Sequence, residues 1–383
     1  MLKYLIAKIH LWLGLASGTV VFVVSLTGCI YVFSKEITEW RRAEATYVEQ
    51  VQPETMLISD LWQTARVAAG GEIPLSWARV SNDPRKSWVF YGYKGNEDGL
   101  TYFSAIDYYR SVYVDPYNGQ IKAVYDEKAD FFNLVKFLHW SLLLKTSLGQ
   151  PIVGWSTFIF VILLISGLIL WWPKSFKSTK NLFAFRWKKT ANGYKKLYDL
   201  HNVTGFYSLL LALIVALTGM VWAFKWFQAF VYVLAAGTAS LPDLQPVKSA
   251  PQEIAAVLPV DRALSETRMK YADAGTYQLS LPSDSLGVIQ VSVQEKAGRY
   301  AKTNQLQFDR YSGQLLNERR HEDKNAGEKL IASNYDIHVG AILGFPGKVL
   351  AFLISLVCAS LPVTGFLMWL KRRRNRPSLL INK

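Results

Sequence analysis

The sequence predicts an integral membrane protein: a four-transmembrane-helix bundle built from two parallel repeats, with two α+β domains on the outer side of the membrane. Three observations lead there. Four apolar runs, Leu11–Phe33, Ile152–Trp172, Phe206–Phe224 and Val349–Leu370, approach or exceed the roughly 20 residues needed to cross a bilayer. The excess positive charge lies in short segments on one side of these runs. One stretch also occurs twice, with His10, Gly14, Ser17, Thr27 and Gly28 recurring as His201, Gly205, Ser208, Thr218 and Gly219 at a constant offset.

The charge pattern sets the orientation. The net charge is +14. The segments 1–10, 173–200 and 371–383 hold 16 of the 43 lysines and arginines and a single acid, Asp199. The remainder is close to neutral. Basic loops mark the cytoplasmic side, so both termini and the middle loop are expected inside and the two long polar segments outside. Confinement to these segments argues against a nucleic-acid partner.

The first span, 1–34, has small residues Gly14, Ser17 and Gly18 near the His10 face. They could admit a neighbouring helix or leave room for a flat ligand. Lys3 and Lys8 before an apolar run also resemble a signal peptide, and Leu26–Cys29 a lipoprotein processing site. The recurrence of Leu-Thr-Gly at Leu217–Gly219 without a cysteine favours an uncleaved span.

The first outer domain, 35–130, opens with a helix over Leu57–Ala69 that ends at Gly70 and Gly71. Strand patterns follow at Ser76–Val80, Ser87–Tyr93, Leu100–Ala105 and Tyr109–Val114, separated by turn residues. Segment 131–173 combines an interfacial helix carrying His139 with the second span. One continuous helix from His139 to Trp172 would be about 50 Å long, beyond the roughly 30 Å hydrocarbon core. Gly149 and Pro151 are the expected break.

A basic loop, 174–196, leads to the third span, 197–234. The second outer domain, 235–332, has a helical pattern over Gln252–Lys270 interrupted near Pro259, then strands at Tyr277–Leu281, Val288–Gln294 and Gln305–Phe308. Its turn Asp309–Gln314 matches Asp115–Gln120. The outer lead-in with His338 and the fourth span occupy 333–371, and a basic tail 372–383. The spans are expected to hold no acidic residue.

Four of the five histidines stand at membrane entries in repeat-related pairs: His10 with His201 inside, and His139 with His338 outside. His321, in a polar stretch, is expected to be solvated. A neutral imidazole offers one lone pair to zinc, copper or iron. A zinc site takes four protein ligands, or three and water. Two histidines per level instead suit the axial positions of a b-type haem, giving two haem b per chain with His10, His201, His139 and His338 as iron ligands. Any one histidine alone could simply hydrogen-bond at the interface; the paired recurrence favours ligation. Thr27 and Thr218 are expected to bond their own helix backbone. Cys29 and Cys358, each inside an apolar run, define neither a metal site nor a disulfide framework, and no Cys-x-x-Cys-His occurs.

These residues carry a resemblance. His10 with Thr27-Gly28, Asp115–Gly119 followed by Leu138–Leu143, Ser166–Pro173, and His201 with Thr218-Gly219 together resemble the PepSY-associated membrane-helix family of bacterial inner-membrane proteins. The likeness covers essentially the whole chain and extends to the family's ferrioxamine (ferric-siderophore) reductases. Arg310 departs from it where the first turn has Pro116. The resemblance implies two periplasmic PepSY-like domains, b-haem, a ferric hydroxamate-type siderophore as substrate, and release of Fe(II). The absence of Gly-x-Gly-x-x-Gly leaves quinol or a separate cytoplasmic reductase as electron donor. Two other classes remain open: a siderophore or metal permease, and an envelope regulatory binding module.

Overall fold

The computed structural model describes residues 1–173, 183–185, 192–240, 242, 247–251 and 257–374. Most of the basic loop, almost all of the basic tail and the start of the Gln252–Lys270 pattern lie outside these residues. In chain order the elements are α1 (Leu2–Tyr31), α2 (Ser34–Arg41), α3 (Ala43–Thr46), α4 (Ile58–Ala68), β1 (Trp77–Ser81), β2 (Trp88–Gly95), β3 (Ile106–Val114), β4 (Ile121–Asp126), α5 (Phe131–Ser141), α6 (Thr146–Trp171), α7 (Gly193–Ala223), α8 (Lys225–Ala236), α9 (Pro259–Lys270), β5 (Thr276–Ser280), β6 (Val288–Gln294), β7 (Thr303–Asp309), β8 (Leu315–Arg319), α10 (Ala326–His338) and α11 (Phe345–Arg374). They fall into a helical unit (1–32, 135–227, 337–383) and a sheet unit (33–134, 228–336).

In the helical unit, α1, α6, α7 and α11 are each long and apolar enough to cross a membrane. Each of α1 and α7 packs against both α6 and α11. Large apolar side chains such as Leu210, Ile165 and Leu353 stay exposed on the spans, as expected where lipid is the solvent. Small residues let the spans approach. A Cβ on Gly14 would meet Leu163 of α6, and one on Gly205 would meet Leu361 of α11. Ser17 and Ser208 are buried and donate to their own helix, at Leu13 O and Gly205 O. Of the two expectations for this stripe, these contacts are those of close helix approach.

The break before the second span falls at residues 142–145, ahead of Gly149 and Pro151. Leu142 and Leu143 adopt left-handed φ values of 56° and 57°. Pro151 lies inside α6, near enough to its start that the missing N–H removes one backbone bond without ending the helix. Gly149 serves contact rather than breakage: a Cβ there would lie 1.8 Å from Ser141 O. The corner before α11 repeats the device, with a Cβ on Gly347 falling 2.1 Å from Gly340 O. Asp199, assigned to the loop from sequence, is in fact buried within α7 and paired with Lys195 one turn earlier.

In the sheet unit, the segments expected to form two separate domains share one antiparallel sheet of order β4-β3-β2-β1-β5-β6-β7-β8. β1 and β5 join the halves, Trp77 pairing with Ser280 and Ser81 with Thr276. Alone, each would be a bare edge strand exposing unpaired backbone groups. Alternation sends Ala78, Val80, Phe90, Val112, Tyr277, Leu279, Val291 and Phe308 into a core, where α4 adds Leu61 and Ala65 and α9 adds Ala263 and Leu264.

Leu100–Ala105, expected as a strand, is instead a turn-rich connection with Tyr102 buried and its hydroxyl on Lys128 O. β4 and β8 are strands the pattern did not reveal; the burial of β4 does not alternate cleanly. The matching turns are alike in detail: Asp115 and Asp309 accept from the N–H two residues on, at Tyr117 and Tyr311. Gly119 and Gly313 take φ of 73° and 67°, which only glycine adopts readily.

Candidate functional site: two histidine pairs with hydroxyl and glycine seats

The helical unit brings the four entry histidines together two by two. His10 of α1 and His201 of α7 have ring centroids 6.5 Å apart. His139, near the end of α5, and His338, the last residue of α10, have centroids 6.1 Å apart. All four rings are half-buried. Trp222 meets the His338 ring edge-on at 5.1 Å.

Each histidine is seated in the same way on a neighbouring span. His10 Nδ1 lies 2.9 Å from Ser166 Oγ of α6. His201 Nδ1 lies 2.9 Å from Thr364 Oγ1 of α11. His139 Nδ1 lies 3.2 Å from Thr27 Oγ1 of α1, and His338 Nδ1 lies 2.9 Å from Thr218 Oγ1 of α7. The residue after each hydroxyl is a glycine under the same ring. A Cβ on Gly167, Gly365, Gly28 or Gly219 would approach Cε1 of His10, His201, His139 or His338 at 3.5, 3.5, 3.1 or 3.6 Å. A Ser/Thr-Gly dipeptide is therefore the seat of every entry histidine.

The hydrogen-bond network assigns one tautomer. A hydroxyl has one proton to donate, and each of these donates it to its own helix: Ser166 to Leu163 O, Thr364 to Ser360 O, Thr27 to Val23 O and Thr218 to Ile214 O. Each oxygen then accepts from the imidazole Nδ1–H. Three rings have a second acceptor in a backbone carbonyl: Val24 O for His139 at 2.8 Å, Leu361 O for His201 and Val215 O for His338. With Nδ1 protonated, Nε2 carries the lone pair, the one a metal would need, and a bonded Nδ1–H raises its basicity.

Each pair of imidazoles fits a group that takes two nitrogen ligands from the protein. Two imidazoles on one metal place their centroids about 6 Å apart, from metal–nitrogen bonds of about 2 Å and about 1 Å more from each nitrogen to its ring centre. Both observed separations match. No cluster of three or more histidine, cysteine or acidic ligands occurs among the described residues, so a four-ligand zinc site is not built here, whereas a tetradentate macrocycle needs only the two nitrogens. The seats separate the pairs: His10 and Thr27 are 17 residues apart on α1, as are His201 and Thr218 on α7, or about 25 Å along a helix.

His321 is less solvated than the sequence suggests. It is half-buried, its backbone N–H donates to Asn304 Oδ1, and burial together with Lys324 and Lys329 lowers its pKa. Ser166 and Thr364 were the residues missed as histidine partners; their signal was the parallel Ser166-Gly167 and Thr364-Gly365. Thr27 and Thr218 do bond their own helices, as expected, and that is what turns their oxygens into acceptors for histidine.

Four apolar spans, an eight-stranded sheet unit and two histidine pairs define a membrane protein whose spans are built around paired imidazoles. The chain belongs to the PepSY-associated TM region family, whose model matches residues 7–372. A search of curated protein sequences finds no match.

Proposed function

We propose that the chain is a di-haem reductase of the bacterial inner membrane that uses electrons from the cytoplasmic side to reduce a ferric siderophore in the periplasm. The observation that carries this reading is the fourfold seat: four imidazoles in two pairs, each with Nδ1–H committed and Nε2 available, separated by about 25 Å, most of the membrane's thickness.

His10 and His201 would hold one haem b near the cytoplasmic ends of the spans, and His139 and His338 a second near the periplasmic ends. Bound haem would supply reversible one-electron Fe(III)/Fe(II) chemistry. Ser166, Thr364, Thr27 and Thr218 hold the ring protons on Nδ1 and orient the imidazoles, and the glycine after each leaves the ring room. The basic termini and middle loop orient the chain with both termini cytoplasmic, so the sheet unit carries its two PepSY-like halves in the periplasm.

In the net reaction each substrate iron gains one electron. A quinol donor would release two electrons and two protons as it becomes quinone; a cytoplasmic reductase would deliver electrons directly. Fe(II) then leaves, because the hard oxygen ligands of a siderophore favour Fe(III).

The visible spectrum of the purified protein tests this. Two b-type haems per chain are expected, one lost in His10→Ala and the other in His338→Ala. Reduced protein mixed anaerobically with a ferric siderophore should reoxidise as an Fe(II)-specific chelator develops colour. A colourless protein, or a reduced protein that no ferric chelate oxidises, overturns the proposal.

A further inference from the structure

The sheet unit presents two unlike faces. One packs on α4 and α9. The other changes character where β1 meets β5. Across the first half it carries Trp77, Tyr91, Tyr93, Tyr109, Tyr113 and Tyr125, of which Tyr91 and Tyr113 are buried in a cluster with Ala45 of α3; across β5–β7 it carries uncharged amides and hydroxyls, and β8 adds Arg319, paired with Glu328. One row, set by the strand register, runs Tyr91, Trp77, Ser280, Gln290, Gln307. The adjacent row runs Tyr113, Val89, Arg79, Gln278, Ser292, Gln305.

Arg79 stands at the seam. It is exposed, and among the described residues it has neither a carboxylate nor a hydrogen-bond partner. Its contacts are aromatic: the guanidinium lies 5.8 Å from the Trp77 ring centroid and 5.5 Å from that of Tyr91. Those two rings stack on each other at 3.7 Å with 7° between their planes. Tyr109, Tyr113 and Tyr300 complete its electrostatic surroundings. Other arginines of the sheet unit are partnered: Arg42 is buried between Glu127 and Asp130, and Arg110 of β3 donates to Ala69 O. An unmatched guanidinium on an aromatic shelf, beside a field of neutral donors and acceptors, is complementary to an anion with flat rings and many oxygens.

We infer that this face, with Arg79, Trp77 and Tyr91 at its centre, binds an anionic metal chelate of the catecholate class. This rests on the function proposed above and narrows its substrate. Catecholate ligands carry more negative charge than one Fe(III) neutralises, and a ring can lie on Trp77, which the buried Tyr91 backs, while an oxygen pairs with Arg79. Trihydroxamates only neutralise the metal, leaving the complex uncharged or, with an amine tail, cationic. An unpaired arginine gives such a complex no electrostatic attraction, so the charge argues against the hydroxamate class suggested by the family resemblance. The amides of Gln278 and Gln290 supply neutral hydrogen bonds to the chelate's amide or hydroxyl groups.

The test uses the full chain in detergent and gallium(III) complexes, which match Fe(III) in charge and ligand preference but accept no electron under these conditions. A gallium tris-catecholate and a gallium trihydroxamate are titrated by calorimetry and by quenching of tryptophan fluorescence. The catecholate should bind at least about tenfold more tightly than the trihydroxamate. Arg79→Gln should weaken it by about tenfold or more, as expected for loss of a charge-assisted contact, and Arg79→Lys should recover only part, since lysine keeps the charge but not the plane. Trp77→Leu should weaken the catecholate and remove most of the quenching. Thermal melting of each variant checks its fold; if Arg79→Gln melts early, Arg79→Lys and Trp77→Leu decide. Equal binding of the two complexes, wild-type affinity in Arg79→Gln and Trp77→Leu, or displacement of the catecholate by anionic lipid vesicles alone would overturn the inference. Haem content measured on the same samples separates the two proposals: a haem-free chain that binds the catecholate refutes the reductase but not the site, and a di-haem chain that ignores it refutes the site but not the reductase.

Discussion

Ser166→Ala is the sharpest test of the histidine seats. His10 differs from the other three entry histidines in its backup: its Nδ1 bonds Ser166 Oγ at 2.9 Å, whereas His139, His201 and His338 each have a backbone carbonyl as well. Removing the hydroxyl leaves a half-buried N–H without its acceptor, a loss of about 1–3 kcal/mol when such a group is fully buried. Partial exposure places His10 toward the lower end, about tenfold in affinity for the bound group, in line with the roughly 10- to 100-fold seen for lost outer-shell partners of metal ligands. A less basic imidazole also favours the reduced metal, so the midpoint of the first site should rise. Haem stoichiometry and a potentiometric titration read both quantities. Ser166→Ala should weaken and shift one haem while the other is unchanged, and Thr364→Val, which leaves His201 its Leu361 carbonyl, should do less at the same site. If Ser166→Ala leaves content and both midpoints unaltered, or if Thr364→Val is the more damaging, the seat reasoning fails.

The glycine seats should differ among themselves. Gly28→Ala would set a methyl 3.1 Å from His139 Cε1, forcing the ring to shift by a few tenths of an ångström, so it should disturb the second haem's spectrum; Gly219→Ala, Gly167→Ala and Gly365→Ala meet their rings at ordinary contact distance and should leave the spectra unchanged. Gly149→Ala drives a methyl into Ser141 O and should sharply lower thermal stability and loading of the second haem. In the sheet core, Leu279→Ala empties a fully buried position and should cost about 2–5 kcal/mol by chemical denaturation of the detergent-solubilised protein. Asp309 links stability to acid: burial disfavours its charge, but N–H donors from Ser312, Tyr311 and Ala250 and the Ser312 hydroxyl outweigh it and hold the carboxyl below its usual range. Its contribution is therefore complete above about pH 4, the ordinary carboxylate value, and is lost as pH falls through the lower folded value. Asp309→Asn should flatten the acid limb of the melting profile, and an unchanged limb would count against the turn as its source.

The spans, the histidines and their recurrence were legible because hydropathy and spacing are one-dimensional signals. A run of about 20 apolar residues announces a membrane without reference to a partner, and His10 with His201 declares itself by its surroundings. Most strands followed from alternation, since β6 and β7 each bury one face. β4 escaped because its side chains are mostly half-exposed on both faces. Leu100–Ala105 misled because a buried tyrosine in a tight connection resembles a strand residue until its hydroxyl partner, Lys128 O, is seen.

The sequence by itself determined that four membrane-length runs exist, on which side their charges lie, and that four histidines recur in two pairs. Tertiary structure decided three further things. It set each imidazole on a Ser/Thr-Gly step of a neighbouring span, and so decided which ring nitrogen keeps its lone pair. It merged the two expected outer domains through β1 and β5. It also left Arg79 on an aromatic shelf without an acid. None of these is written in local pattern, because each depends on atoms from segments far apart in the chain, and a proton's place on a ring is set by whatever oxygen the fold brings to it.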